Sequence, residues 1–173
     1  MKLKIILLVA LAVLVFIFVF FSAHYILLQK KKRNKDNEKL RELRKKIEPI
    51  FKETYLTGPL SSLGGHNILA DIGLDTARRS YTLEKRNVFL CLRDESGQFY
   101  EDSMLTYVLL HEVAHVISRS VGHTQEFYEI FDALLAKADE LKILDKNFKP
   151  VDTYCNYPDL CSKFPIVCQI ISD

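Results

Sequence analysis

LTYVLLHEVAHVISRSVGHTQEFYEIFDALL, residues 105–135, is the segment from which most of the fold and the site can be predicted. It contains the pentapeptide His111-Glu112-Val113-Ala114-His115. Two histidines four positions apart lie on the same face of an α-helix, one turn above the other. This spacing lets both imidazoles bind one zinc ion, and the glutamate beside the first histidine can hold a water molecule. Zinc lowers the pKa of such a water to about 7, so that a nearby carboxylate can accept its proton.

The residues around the pentapeptide predict a helix that is buried on most of its surface. Its apolar residues fall on more than one side, at Leu105, Val108, Leu109, Val113, Val116 and Ile117. We expect Asp102 or Ser103 to cap its N-terminus and Gly122 to end it. Ionisable groups on such a helix are costly unless they are paired or bind a metal. The alternative is a pair of hydrogen-bonded core histidines beside a surface glutamate.

His123 is the predicted third ligand, because a catalytic zinc usually has three protein ligands and one open position. It follows Gly122, and a tight Ser120-Val121-Gly122 turn between two helices would return its ring to the metal. Glu126 and Glu129, in the first turns of the second helix, are the alternative third ligands. The second helix is predicted from apolar residues at three- and four-residue steps: Phe127, Ile130, Phe131, Leu134, Leu135, Ala138 and Leu141.

The histidine segment resembles the WLM and SprT-like zinc metallopeptidases, and in particular the small WLM-like proteins of large DNA viruses. The resemblance rests on HEVAH at 111–115 and GHTQEF at 122–127, and it extends to RSYTLEK at 79–85, VFLCLRD at 88–94 and KPVD at 149–152. It implies a zincin-like domain in which a third histidine closes the site and an aromatic side chain on the next helix packs beneath it. The second and third histidines are further apart here than in cellular WLM proteins. The family includes proteases that degrade proteins crosslinked to DNA, so the resemblance implies nucleic acid as a further partner.

Ile5 to Ala23 is apolar throughout except for Ser22, and its length is about that needed to span a bilayer. A cleaved signal peptide is the alternative. Lys2 and Lys4 precede the span, whereas a larger basic cluster follows it at residues 30–35. Because positive residues favour the cytoplasmic side, we expect a single-pass protein with its C-terminal domain in the cytoplasm. If the protein is viral, the membrane is that of the host or of the virion.

Within the stalk at residues 29–49, Asn34 to Glu48 is dense in charges of both signs, with Leu40, Leu43 and Ile47 at the spacing of a weak amphipathic helix. We interpret this stretch as a juxtamembrane stalk or as a first helix packed on the domain. Gly64-Gly65-His66 is predicted to be a loop, and its histidine is more typical of a solvated side chain than of a metal ligand or a substrate contact.

Two β-rich runs precede the histidine helix, at Ser80 to Leu83 and Val88 to Leu92, and a polar connection separates them. They predict a β-hairpin. An extended peptide can add to the edge of a small sheet through main-chain hydrogen bonds, so the hairpin suits a protease that holds its substrate as a strand. The alternative is a sheet that only covers the helix.

The four cysteines and several tyrosines give further expectations. Cys91 falls in a β-rich run and is interpreted as a buried apolar residue. Cys155, Cys161 and Cys168 are too widely spaced for a zinc knuckle, and they should stay reduced if the domain faces the cytosol. A luminal domain would allow a disulfide in this tail. Four tyrosines are candidates for stabilising the oxyanion during peptide cleavage: Tyr100, Tyr107, Tyr128 and Tyr154.

These patterns together predict an α+β chain with three parts. They are a transmembrane anchor at residues 1–28, a charged stalk at 29–49, and a WLM/SprT-like metallopeptidase domain at 50–173 with an active-site helix, a second helix and a small β-sheet. In this enzyme His111, His115 and His123 bind Zn²⁺, and Glu112 is the general base that hydrolyses a peptide or protein substrate. Residues 5–23 contact the bilayer, and the oligomeric state is left open.

Two alternatives belong to other functional classes. The domain could be a catalytically idle, zinc-stabilised module that holds a partner at a membrane or inside a virus particle. A purely structural zinc site, however, has no use for a base such as Glu112. The other alternative is a membrane protein in which the pentapeptide is accidental, and metal analysis separates it from both zinc proteins.

Overall fold

The computed structural model describes residues 2–52, 58–63, 68–145, 147–151, 153–155 and 157–158. The chain is α+β, with a long apolar N-terminal helix and a small three-stranded sheet. It divides into two compact units, Met1–Glu38 and Lys39–Asp173. His66, Cys161 and Cys168 lie outside the described residues, so the predictions made for them are not addressed by the structure.

Helix α1, Lys2–Lys52, contains the whole of the described part of the first unit. Large apolar side chains are exposed there, including Leu14 at 63%, Phe16 at 72% and Phe18 at 73%. The helix is long and apolar enough to cross a membrane, which agrees with the predicted span at residues 5–23. The orientation of the chain across that membrane stays a prediction.

The last part of α1, from Lys39 onward, belongs to the second unit and contributes to its hydrophobic core. Five of its apolar side chains are buried: Leu40, Leu43, Ile47, Ile50 and Phe51. The guanidinium of Arg44 donates to the carbonyl oxygens of Leu69 and Ile72, at 2.8 and 2.7 Å. The predicted domain begins at residue 50, whereas the second unit begins at Lys39, because this amphipathic face completes the core. Of the two interpretations of residues 29–49, the packed helix is the one found from Lys39 onward.

The three-stranded sheet has the order β1-β3-β2. β2, Tyr81–Leu83, and β3, Asn87–Leu90, form the predicted hairpin, with Thr82 opposite Val88. β1, Gly73–Thr76, pairs in parallel with β3 and was not predicted. It follows a 3₁₀-helix, Gly58–Leu63, and the short helix α2, Ile68–Asp71. β2 therefore lies at an edge of the sheet, as expected for a strand that precedes the histidine helix.

Helix α3, Asp102–Ile117, and helix α4, Gln125–Glu140, pack against each other and carry most of the site. Every residue from Met104 to Ala114 is buried, which confirms the predicted buried helix. After α4, the short strands β4, Thr153–Tyr154, and β5, Tyr157–Pro158, pair with each other.

The ends of α3 differ from the prediction. The N-cap is Glu101 rather than Asp102 or Ser103, and it makes no side-chain capping bond. α3 ends at Ile117, and Gly122 lies in the following loop with a φ of +83°. The predicted tight turn is therefore a longer loop, residues 118–124, which we call the ligand loop. The side chain of its last residue, Thr124, caps α4 by accepting a hydrogen bond from the N–H of Phe127.

Candidate metal centre

Three histidine rings converge where α3 meets the ligand loop. Nε2 of His123 lies 3.1 Å from Nε2 of His115 and 3.2 Å from Nε2 of His111. One ring nitrogen from each residue lies within 4.8 Å of the others. His111 and His115 come from successive turns of α3, and the ligand loop brings His123 back to them. The structure therefore brings together all three predicted ligands, and metal binding by them stays a prediction.

The donor set of this histidine cluster fits a divalent cation. Zinc–nitrogen distances of about 2.0–2.1 Å in a tetrahedral site place the ligand nitrogens about 3.3 Å apart, close to the two observed separations. In the tautomer with the hydrogen on Nδ1, each Nε2 carries a lone pair, and one cation can accept all three. Imidazole suits zinc, copper, iron and nickel alike, so the three histidines fit any of these ions.

The surroundings of the three histidines keep their rings neutral. Burial lowers the pKa of His111 well below its usual value, and neighbouring His115 and His123 lower it further. Burial, followed by the charges of His123 and Lys85, lowers the pKa of His115 to about 4. Burial also lowers the pKa of His123. Neutral imidazole is the form that binds metal, so the cluster is ready for a cation at neutral pH.

Phe127, in the first turn of α4, packs against all three rings. Its ring centroid lies 4.9 Å from that of His111, 4.3 Å from that of His115 and 4.7 Å from that of His123. The side chain is fully buried. It occupies the place of the aromatic residue that the family resemblance implies on the next helix. This contact restricts the planes of the histidine rings on the side away from solvent.

Glu112 lies on the same helix and is only 6% exposed. Its Oε2 accepts a hydrogen bond of 2.8 Å from the hydroxyl of Thr82 on β2. Burial raises the pKa of Glu112 to about 7, while the bond from Thr82 lowers it. A carboxyl group with this pKa can both accept and return a proton near neutral pH. Thr82 was not predicted to belong to the site. Its sequence context predicted a β-strand but not that its hydroxyl would contact Glu112.

A cleft of about 900 Å³ gives access to the histidines and Glu112. One wall is the edge strand β2 and another is the ligand loop, with Val121 and Gly122 at its rim. The volume is within the range of sites that hold small molecules or peptide side chains. A cleft bordered by an edge strand can hold an extended peptide through main-chain hydrogen bonds.

Of the four tyrosines predicted as candidates for stabilising the oxyanion, Tyr154 lines this cleft. The other three lie elsewhere: Tyr100, Tyr107 and Tyr128. The hydroxyl of Tyr154 donates to the carbonyl oxygen of Cys91 and lies 3.0 Å from Oγ of Ser80. Burial raises the pKa of Tyr154, so the hydroxyl stays protonated. These contacts hold the ring in the wall of the cleft.

Cys91 and Cys155 form a disulfide, with their Cα atoms 6.3 Å apart. Cys91 is buried, as expected, but its bond to Cys155 was not predicted. Cys155 was expected to be reduced only in a domain that faces the cytosol. The bond joins the segment after β3 to the residue after β4, across 64 positions of sequence. Neither cysteine lies in a motif that could reveal this pairing. Because Cys155 lines the cleft, the disulfide fixes part of its wall.

The alternative third ligands, Glu126 and Glu129, do not join the histidine cluster. The carboxylate of Glu126 accepts hydrogen bonds from the ligand loop instead. The hydroxyl of Ser120, followed by the backbone N–H of Arg119, lowers the pKa of Glu126 to about 2. Glu129 is exposed and accepts a bond of 3.1 Å from the amide of Gln125.

Comparison with known proteins places the chain among viral sequences. No model of a known protein family matches it, and no solved structure matches it. It is 36% identical over 121 residues to uncharacterized protein 136R of Invertebrate iridescent virus 6, and the alignment covers 65% of this chain and 68% of that protein. The chain belongs to the family of protein 136R.

Two further relatives of this 136R family member are also viral. Over 102 residues it is 39% identical to uncharacterized protein 042R of Invertebrate iridescent virus 3, covering 58% of the chain and 64% of that protein. Over 84 residues it is 33% identical to uncharacterized protein R325 of Acanthamoeba polyphaga mimivirus, covering 47% of the chain and 41% of that protein. The chain thus covers less than two thirds of these two relatives, and the names of all three assign no activity.

Proposed function

We propose that this member of the 136R family is a membrane-anchored zinc metallopeptidase with a WLM/SprT-like, zincin-like domain. The observation that carries the proposal is the convergence of three histidine Nε2 atoms, separated by 3.1 and 3.2 Å, in a cleft that also contains the buried Glu112. A purely structural zinc site is closed and needs no base, whereas a catalytic site keeps one position open.

Each side chain of the cluster has a distinct role in this proposal. His111, His115 and His123 hold the zinc ion. A bound zinc supplies Lewis-acid activation of a water molecule and of the scissile carbonyl group. Glu112 accepts a proton on its carboxylate and returns it to the leaving amine. Thr82 keeps that carboxylate in one orientation through its 2.8 Å hydrogen bond.

The substrate class follows from the shape of the cleft. β2 is an edge strand, and an extended segment of another protein can add to it through main-chain hydrogen bonds. Unstructured proteins and peptides are therefore the proposed substrates. A role for nucleic acid is supported by the family resemblance alone, so peptide cleavage should be measured both with and without DNA.

The membrane is the proposed location of the enzyme. The exposed apolar residues of α1 suit a bilayer, and the basic cluster at residues 30–35 favours the cytoplasmic side for the catalytic domain. For a viral protein, that membrane belongs to the host cell or to the virion.

Glu112→Gln in the full-length chain, purified in detergent, tests the proposal. Wild type and variant should each contain about one zinc per chain, because Glu112 is not a ligand. Cleavage of unstructured proteins by the variant should fall by about 10²–10⁴-fold, the usual contribution of a general base. His111→Ala and His115→Ala should lose the zinc.

Two outcomes would contradict the proposal in different ways. A wild-type chain without metal would exclude the metal centre. If wild type and Glu112→Gln both contain zinc and cleave nothing in a broad peptide library, the idle module that holds a partner at a membrane becomes the better function.

A further inference from the structure

The first part of the ligand loop, residues 118–120, contacts two oppositely charged side chains from different elements. Lys85 approaches it from the turn between β2 and β3, and Glu126 approaches it from α4. Neither side chain belongs to the histidine cluster. Their contacts account for the path of the chain between α3 and His123.

Lys85 satisfies carbonyl groups at the C-terminal end of α3. Its Nζ donates to the carbonyl oxygen of His115 at 3.2 Å, to that of Ser120 at 2.6 Å, and to that of Ser118. Carbonyl groups at the end of a helix have no partner within the helix, and the negative end of the helix dipole favours a cation. An ammonium group has three hydrogens, and these three bonds use all of them.

The backbone around Lys85 adopts a conformation that is unfavourable for its residue type. Glu84 and Lys85 have φ angles of 52° and 50°, in the left-handed region. That region is unfavourable for a residue with a Cβ, whereas glycine and asparagine adopt it more readily. The hydrogen bonds of Lys85 offset this cost, and they couple the conformation of the hairpin turn to the ligand loop.

Glu126 satisfies the N–H groups of the same loop segment. Its Oε1 accepts from the backbone N–H of Arg119 at 3.1 Å, and its Oε2 accepts from that of Ser120 at 3.0 Å. The hydroxyls of Ser118 and Ser120 also donate to Oε2. Once the chain leaves α3 at Ile117, these N–H groups need partners outside the helix. The lysine thus binds the carbonyl groups of the segment and the glutamate binds its N–H groups.

We infer that Lys85 and Glu126 are positioning residues that hold the ligand loop so that His123 meets His111 and His115 before any metal binds. The inference rests on the proposed metal centre. His123 follows the held segment by only three positions, so the placement of residues 118–120 limits where its ring can lie. Lys85 shares its hairpin with Thr82, so this hairpin orients both the third ligand and the residue that moves the proton.

The test uses the full-length chain in detergent and two measurements. The first is hydrogen exchange of the Arg119 and Ser120 amides in the metal-free protein, and the second is affinity for zinc. In wild type both amides should be protected, although they lie in a loop. Glu126→Gln replaces one acceptor oxygen with a donor NH₂ group, so it should remove the protection of at least one of the two amides. It should also weaken zinc binding about tenfold, as expected when a group that orients a metal ligand is lost.

Lys85→Asn is the second variant, because asparagine tolerates the left-handed turn but cannot supply three ammonium hydrogens. It should also weaken zinc binding about tenfold. Glu129→Gln and Arg86→Met are matched controls, since both residues are exposed and charged and lie on the same helix or in the same turn. The controls should leave exchange and affinity unchanged. If one of the two test variants fails to fold, the other still decides the result.

Wild-type amides that exchange as fast as an unstructured peptide would overturn the inference. So would zinc affinities within about twofold of wild type in both folded variants, well short of the expected tenfold loss. A wild-type chain that binds no zinc would refute the proposed function, while the exchange rates would still show whether the loop is held.

Discussion

The hydroxyl of Thr82 donates a hydrogen bond to Oε2 of Glu112 at 2.8 Å and lies 2.9 Å from the carbonyl oxygen of the same residue. This pair of contacts joins the edge strand to α3 beside the histidine cluster. It opposes the effect of burial on Glu112, because burial raises the pKa of the carboxyl group and the hydrogen bond lowers it. The basicity of Glu112 therefore depends on the register of the hairpin.

Replacing Thr82 should raise the pKa of Glu112. In Thr82→Val the bond to the charged carboxylate is lost while the burial remains, so the pKa should rise above about 7. A rise of roughly one pH unit corresponds to about 1.4 kcal/mol, a usual contribution of such a bond. Carboxyl-carbon NMR titration of the metal-free protein measures it. Thr82→Ser keeps the hydroxyl and should titrate like wild type; equal titration of Thr82→Val would show that the bond has no effect.

The metal-free protein should lose stability in mild acid. His115 has a pKa of about 4 in the folded chain against 6.5 unfolded, and that of His111 is also lowered. Between pH 6.5 and about 4 the unfolded chain binds more protons than the folded chain does, so the free energy of unfolding falls as the pH is lowered. Glu112 acts in the opposite direction, because its folded pKa of about 7 exceeds its ordinary 4.5. The lowered pKa values of two histidines outweigh the raised pKa of this one glutamate, so we expect the free energy of unfolding to fall between pH 7.5 and pH 5.

Urea unfolding at the two pH values, with a chelator present, measures that loss. Glu112→Gln removes the opposing contribution, so its stability should fall more steeply with acid than that of wild type. A variant that falls less steeply than wild type would contradict the assigned direction of the Glu112 shift.

The disulfide should contribute a large part of the stability of the oxidised protein. It closes a segment of 64 positions, for which the loss of unfolded-chain entropy corresponds to about 4 kcal/mol. Cys91→Ser should lower the free energy of unfolding by about 2–4 kcal/mol, and reductant should lower wild type to the same value. The variant itself should be insensitive to reductant. Alkylation of Cys91 and Cys155 themselves in air-oxidised wild type, identified by peptide mass, would show that this bond does not form.

The end of α1 should be needed for folding of the second unit. Leu40, Leu43 and Ile47 are buried, and burial of one such side chain contributes about 1.5–3 kcal/mol. Together they approach the 5–15 kcal/mol that stabilises a typical domain. A chain of residues 39–173 should unfold cooperatively, whereas residues 50–173 should be unfolded or aggregated. Equal unfolding midpoints for the two chains would show that this helix is dispensable.

The orientation in the membrane can be tested at an exposed turn. Asp94→Asn creates an Asn-x-Ser glycosylation acceptor at residues 94–96. With the domain in the cytoplasm the acceptor should stay unmodified, and Cys91 and Cys155 should react with an alkylating reagent inside cells and pair only in an oxidising medium. Glycosylation at this turn, together with a disulfide already present in cells, would place the domain on the opposite side.

The sequence predicted those parts of the site that depend on local periodicity. The four-residue spacing of His111 and His115 is sufficient to place both on one helix face. The hairpin was predicted because its two runs are β-rich and adjacent, and the burial of α3 because apolar residues surround it. Each of these features depends on residues that are close together in the sequence.

Contacts between distant segments could not be predicted in the same way. The Cys91–Cys155 disulfide depends on where β4 lies, and the contacts of Lys85 depend on where α3 ends. From its position, Gly122 suggested that α3 ends later than Ile117. The earlier end could not be predicted, because the side chains that bind the backbone after Ile117 lie on the hairpin turn and on α4. Leu40 and its neighbours suggested an amphipathic helix, and only the core shows where that helix packs.

The packing of Phe127 against the histidine rings has a consequence for the kinetics of metal exchange. With that side filled by a buried aromatic ring, a bound ion would enter and leave through the mouth of the cleft, the same route that the proposed peptide substrate would take. A peptide lying along β2 would therefore slow the removal of the ion by a chelator and its replacement by a competing ion. The rate of metal loss, measured with and without a peptide, then reports occupancy of the cleft even for a peptide that is never cleaved.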